Sequence, residues 1–317
     1  MVYVEKKRVG SSYYYYHTRN IRLNLKNKKF RRYVGKDLSK AYEREEFLKS
    51  VDSFVNKELE VMKQSFIPED LTYSPNILND IFKFNSKVSN FKEFYPNIKL
   101  EIDKEFPIAF IYNSNSIEGS RLPIKEVEKI VLGKKSLYED KNEIIEAKNS
   151  IECWRFMNEE FTFTLKSVKE LHKKLTHNLL SNNAPYHQGF KQKDIVVGYD
   201  ARTTIPSHLV KSSLKELFEW YKEHKKTMFG PQLAFEFYYR YELIHPFEDG
   251  NGRTGRFIMN KILIDLGFVP MIMYSQNAQN HHRAFVRAEN GNKKYFFDFM
   301  FKQYRKTFEE FYSKFLK

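Results

Sequence analysis

The sequence predicts a mainly α-helical protein with a small, basic, β-rich module at its N-terminus and a β-hairpin set among the helices. Three observations carry that expectation. From Pro75 nearly to the end, apolar residues recur at helical spacing. The first 36 residues instead alternate with a period of two. One internal segment, "KDIVVGYDARTTIP" (193–206), is β-branched and has no helical period.

Val2 and Val4 alternate with Tyr3 and Glu5. "SSYYYYHTRNIRLNLKNKKFRRYVGK" then sets Ile21, Leu23 and Leu25 on one face and Arg22 and Asn24 on the other, with "KNKK" (26–29) as its turn. Residues 1–36 hold eleven Lys and Arg against one acid, Glu5, so this stretch supplies +10 of the chain's +14. That asymmetry marks a module with its own partner. A helix is expected over Ser39 to Gln64, with Phe47, Leu48, Val51, Val55, Leu59 and Met62 as its apolar stripe. "FIPEDLTYSP", with Pro68 and Pro75, divides a module of residues 1–66 from a domain of residues 75–317.

Within the domain, Thr164 is placed to cap a helix carrying Leu165, Val168, Leu171, Leu175 and Leu179. Ser207 is placed to cap the next, with Val210, Leu214, Leu217, Phe218 and Tyr221. A third carries Leu233, Phe237, Tyr241 and Ile244 and runs straight into His245.

Composition narrows the class. The chain is 41% hydrophobic over 317 residues and 16% aromatic, enough for a substantial core and too much for a disordered chain. A lone Cys153 excludes an intrachain disulfide framework and a Cys-based zinc site. Met1 to Gly10 lacks the apolar region of a signal peptide, and no apolar run is long enough to span a membrane. The expectation is a soluble, cytoplasmic protein that does not engage a membrane.

The chemistry concentrates in "LIHPFEDGNGRTGRF" (243–257). The helical stripe stops at Ile244, Gly250 and Gly252 allow a tight loop, and a helical pattern resumes from Arg253 to Leu266. A glycine loop feeding a helix N-terminus aims backbone N–H groups into one concavity, which suits a phosphate. Arg253 and Arg256 lie three apart on the first turn and add forked donors. Asp249, just before the loop, suits Mg²⁺ held jointly with substrate phosphates. His245 ends the preceding helix, where neutral imidazole can accept a proton.

"HPFEDGNGRTGR" resembles the signature of the Fic-domain family, H-x-F-x-(D/E)-G-N-G-R-x-x-R, with every specified position filled. Most members transfer AMP from ATP to a protein hydroxyl. The resemblance implies a Fic-type helical domain with His245 as general base, Phe247 anchoring the loop and Asp249 binding Mg²⁺. Gly250, Asn251 and Gly252 would form the phosphate loop, with Arg253 and Arg256 reaching the β- and γ-phosphates. Upstream, Ser114-x-x-x-Glu118-Gly119 resembles the family's inhibitory motif, (S/T)-x-x-x-E-(G/N). By that likeness Glu118 forms a bidentate pair with Arg256 and silences the enzyme. The hairpin segment falls where the family has its flap, so Ile195, Val196 and Val197 would offer a backbone edge to a target protein with an exposed hydroxyl. Asn277 falls near the family's nucleotide-base region. Homodimers are common in this class, but no interface is legible here.

Three other readings compete with this one. Glu242-x-x-His245 has di-metal spacing, but such sites need a second copy that the sequence lacks. Adjacent His281 and His282 diverge on a helix and cannot share a metal. Nucleic-acid binding through residues 1–66 rests on the cationic, tyrosine-rich strands, against packing of those tyrosines in a small sheet. Removal of AMP with Glu118 activating water stays open, because sequence does not separate it from transfer.

Overall fold

A computed structural model describes residues 2–23, 26–36, 95–181, 184–185, 187–197 and 202–316, with isolated positions at 53 and between 80 and 92. The helix expected over Ser39 to Gln64 lies almost wholly outside the described residues, as does the Pro68 to Pro75 boundary.

The N-terminal strands β1 (Val2–Val9), β2 (Ser12–Leu23) and β3 (Lys26–Gly35) form an antiparallel meander in that order. Gly10, at φ 61°, supplies the left-handed residue of the first turn. The second turn corrects the sequence reading. Leu23 pairs with Lys26, so "KNKK" belongs to β3. Charge misleads there because β3 is an edge strand, where lysines are tolerated.

The helical body begins with α1 (Pro96–Ile117), α2 (Ile124–Val131), α3 (Lys141–Glu159) and α4 (Leu165–Leu175). The Thr164 side chain caps α4 by accepting from Ser167 N. Leu179 is buried but lies past the end of that helix, because Asn178 turns the chain at φ 56°. After two short pairs, β4–β5 (Leu180–Ser181, Ala184–Pro185) and β6–β7 (Val196–Val197, Arg202–Thr203), come α5 (Val210–His224), α6 (Gly230–Ile244) and α7 (Asn251–Asp265). Helices α8 (Ala278–Glu289) and α9 (Lys293–Glu310) complete the domain. Ser207 does not cap α5. It sits in a preceding 3₁₀ turn, and its N–H donates to Asp194 Oδ1 at 2.7 Å. A full carboxylate from the hairpin segment displaces the serine from that role.

Helix α6 is the axis of the core. Leu233, Phe235, Phe237, Tyr238 and Tyr241 are all fully buried, so the helix is enclosed on every side. Helix α7 packs against it through Gly255, where an added Cβ would lie 2.8 Å from Tyr238 Cε2. Gly255→Ala is therefore expected to destabilise the domain by about 1–3 kcal/mol through overpacking, read as a lower urea midpoint with an unchanged m-value. Among the described residues, no helix is long and apolar enough to cross a membrane.

Candidate active site

The helix–loop–helix at residues 230–265 exists because the chain leaves the helical region at one residue. His245 adopts φ 47° and ψ 65°, the left-handed region, at the C-terminus of α6. Pro246 follows, and a residue before proline is disfavoured in the right-handed region. The unusual backbone is held from outside. Lys191, only 3% exposed, donates from Nζ to Ile244 O at 3.2 Å and from its backbone N to Pro246 O at 2.9 Å. Ile205 N donates to Leu243 O at 3.1 Å. Both arms of the β6–β7 hairpin are thus laced to the segment that carries His245. The same Lys191 Nζ donates to Thr204 Oγ1 at 2.6 Å, and Thr204 Oγ1 donates to Ile195 O at 2.9 Å.

Phe247 is completely buried and stacks on His172 of α4, with ring centroids 3.7 Å apart. Asn251 closes the loop with its side chain: Phe247 N donates to Oδ1 and Nδ2 donates to Phe247 O, both at 2.9 Å. The Asn251 amide therefore braces the loop from within. Asp249 accepts from Gly250 N, and its carbonyl lies 2.9 Å from His172 Nε2. Half of the Asp249 side chain is exposed, open to a cation. Burial pulls the His172 imidazole down to about 4, so it stays neutral beside that loop. Gly250, at φ 78°, lets α7 begin at Asn251, two residues earlier than the apolar pattern indicates.

The two motif arginines are buried, and each meets an acid from the N-terminal half of the domain. Arg253 pairs with Glu146 of α3 and lies 3.6 Å from Asp249 Oδ1. Arg256, 1% exposed, donates from Nε to Ser114 Oγ at 3.0 Å, from Nη2 to Ser114 O at 2.9 Å and from Nη2 to Glu118 Oε1 at 2.7 Å. The expected bidentate Glu118–Arg256 pair is thus a single carboxylate contact through Nη2, while Nε and Nη2 also donate to Ser114. Ser114 and Glu118 reach one guanidinium because they are one helical turn apart at the end of α1. Gly119 reverses the chain at φ 103° with open space around it, so the glycine answers a backbone need there. Burial pushes the Glu118 carboxyl up, but the Arg256 and Arg253 guanidinium charges outweigh it and hold it below its usual value. Gly252 makes room for this acid: a Cβ there would lie 2.5 Å from Glu118 Oε1.

One cleft of about 280 Å³ is walled by Glu118, Val197, His245, Gly252, Arg256 and His282 among others; Asp249, Gly250, Asn251 and Arg253 do not line it. Of the hairpin residues, Val197 faces the cleft, Val196 is 57% exposed, and the Ile195 carbonyl is engaged by Thr204. Asn277 precedes α8 and donates to Gln303 Oε1 at 3.3 Å; its neighbour Ala278 lines the cleft. A larger cavity, about 470 Å³, lies elsewhere between Lys92, Asp103, Trp154 and Phe268 and contains none of the motif residues. Sequence reasoning missed Glu146, His172 and Lys191. Nothing in their local context distinguishes them from surface or core residues.

Known proteins resemble this chain in sequence and in fold. Residues 162–263 match the Fic/DOC family. The chain is 28% identical over 217 residues to the protein adenylyltransferase Fic of Nematostella vectensis, covering 66% of this chain and 49% of that protein. It is 26% identical over 199 residues to protein adenylyltransferase fic-1 of Caenorhabditis elegans, covering 60% and 38% respectively. The chain thus spans less than half the length of these curated relatives. Among solved structures, a Fic family protein from Desulfovibrio desulfuricans superposes with a TM-score of 0.66 at 21% identity, over 77% of this chain and 76% of that one. Fic-1 from C. elegans gives 0.59 at 18% identity, over 88% and 79%. At those identities the likeness establishes the fold.

Proposed function

We propose that this chain, a Fic/DOC-family protein by its match over residues 162–263, is a protein adenylyltransferase. It moves AMP from ATP to a Tyr, Thr or Ser hydroxyl of a target protein and is held in check by Glu118. On this reading residues 1–66 form an appended basic module and residues 75–317 the catalytic domain. The observation that carries it is the meeting of His245, Gly252 on the first turn of α7 and a Glu118-bound Arg256 in one cleft.

In the proposed reaction the target hydroxyl oxygen attacks the α-phosphorus, its proton passes to His245, and the bond to the β-phosphate breaks to release pyrophosphate. The barrier is lowered mainly by positioning and by donors aimed at the phosphates. The first N–H groups of α7 face the anion, and Arg253 and Arg256 add guanidinium donors from below. Asp249 fits a Mg²⁺ site of the phosphate-dependent kind: it is a single half-exposed carboxylate, and no cluster of three metal-ligating side chains occurs among the described residues. Bound there, Mg²⁺ would neutralise charge on the departing pyrophosphate. An extended target segment would add to the open edge of Val196–Val197, whose other edge pairs with Arg202–Thr203.

The test is transfer from ATP labelled at the α- or the γ-phosphate, followed by intact mass, using the Glu118→Gly protein. Label from the α-position with an added mass of one AMP supports the reading. Label from the γ-position would establish phosphoryl transfer instead and sink it.

A further inference from the structure

The N-terminal sheet presents a second surface whose chemistry the catalytic reading leaves unused. Side chains two apart on a strand share a face, and the register Lys7↔Tyr14, Glu5↔Tyr16↔Tyr33 and Thr18↔Arg31 assembles one such face across all three strands. The opposite face carries His17 and Val34, at 6% and 7% exposure, and also the exposed Val4 and Tyr13, so it is covered only around His17 and Val34. On the first face the Tyr33 ring lies 6.1 Å from Tyr14 and 5.5 Å from Tyr16, forming an aromatic platform. Tyr33 is 48% exposed, so its ring is accessible to a ligand. Cations frame the platform. Arg31 lies over Tyr16 and Lys36 over Tyr14, each 5.5 Å from the ring centroid, and Lys7 and Lys36 are exposed. The Lys29 and Arg31 side chains keep 44% and 37% of their surface exposed.

We propose that this face binds single-stranded nucleic acid, with bases stacked on the Tyr14–Tyr16–Tyr33 platform and the phosphodiester chain running along Lys7, Lys29, Arg31 and Lys36. Charge selects a polyanion: the only acid in residues 1–36 is Glu5, and it pairs with Lys29 and Arg31 within the same face. Geometry selects the single strand. Three strands span roughly 10 Å between their outer backbones, so the face with its side chains fills or exceeds a major groove of about 12 Å. Aromatic rings at the centre of a cationic face reach only bases that are free to unstack. A protein partner with an acidic surface would satisfy the lysines but would not need the exposed rings.

Four cations less the charge of Glu5 leave about three phosphates neutralised. At a slope of about −0.7 per phosphate, affinity should fall about twentyfold between 50 and 200 mM salt. The test uses the full chain and fluorescence anisotropy with a labelled 20-nucleotide single strand, its duplex, and heparin as competitor. The expected result is salt-dependent binding of the single strand, at least tenfold tighter than the duplex. Tyr33→Ala should weaken it about tenfold, and Tyr33→Phe should retain it. Arg31→Gln should flatten the salt slope without changing the circular dichroism. The proposal is overturned by absence of binding at 50 mM salt. Equal or tighter duplex binding overturns it too, as does binding that heparin abolishes while Tyr33→Ala leaves it unchanged. Either outcome leaves the assignment of AMP transfer untouched.

Discussion

Replacing Glu118 with glycine is expected to raise the rate of AMP incorporation at least tenfold, a change of about 1.4 kcal/mol in barrier. The reason lies in where the carboxylate sits. Its Oε1 is 2.7 Å from Arg256 Nη2 and 2.5 Å from where a Cβ on Gly252 would be, in contact with the first turn of α7. On the proposed reading Glu118 thus occupies the ground an ATP phosphate would need, at a helix N-terminus that favours an anion. ATP bound beside it would be displaced, and small displacements of the reacting phosphorus carry large rate penalties. Arg256 does not collapse in the variant, because Ser114 still accepts from its Nε and Nη2 at 3.0 and 2.9 Å. ATP affinity should therefore change less than the transfer rate. The measurement is label incorporated per minute from α-labelled ATP by wild type and Glu118→Gly at saturating nucleotide. Equal rates would remove Glu118 as a brake. Loss of an ability to release AMP from labelled target would instead favour the removal reaction.

The second large effect runs the other way. In the Glu118→Gly background, His245→Ala should lower transfer by about 10²–10⁴, the usual contribution of a positioned general base. The backbone at His245 is unusual and held from outside: a left-handed residue before proline, at a cost of about 1–2 kcal/mol, flanked by carbonyls that Lys191 and Ile205 bind. Its Nδ1 is 3.9 Å from Glu242 Oε2 on the last turn of α6. ATP binding and the unfolding midpoint should stay close to those of the parent. Labelling within threefold of the parent would take the base assignment away from His245.

What could be read from the sequence depended on how far apart the cooperating residues lie. The stretch from His245 to Arg256 is legible because helix end, loop and helix start follow one another, and each residue's task is set by its neighbours. The helices were legible for the same reason, since their stripes repeat every three to four residues and Thr164 caps within its own turn. Errors arose where a distant group displaced a local one. Asp194 took the place of Ser207 at a helix start. "KNKK" misled because a turn and an exposed edge strand tolerate the same lysines.

The sequence alone determined the helical class, the basic strand module, the hairpin among helices and the twelve-residue phosphate-type motif. Tertiary structure decided what surrounds that motif. It brought Glu146 to Arg253 across 107 positions, His172 under Phe247 and Asp249, and Lys191 against the carbonyls flanking His245. It also decided that Tyr33 is exposed among cations while Val34 is buried. The physical reason is common to all of these. A buried charge or strained backbone requires a partner within hydrogen-bonding distance, and chain topology, not sequence spacing, chooses which residue supplies it.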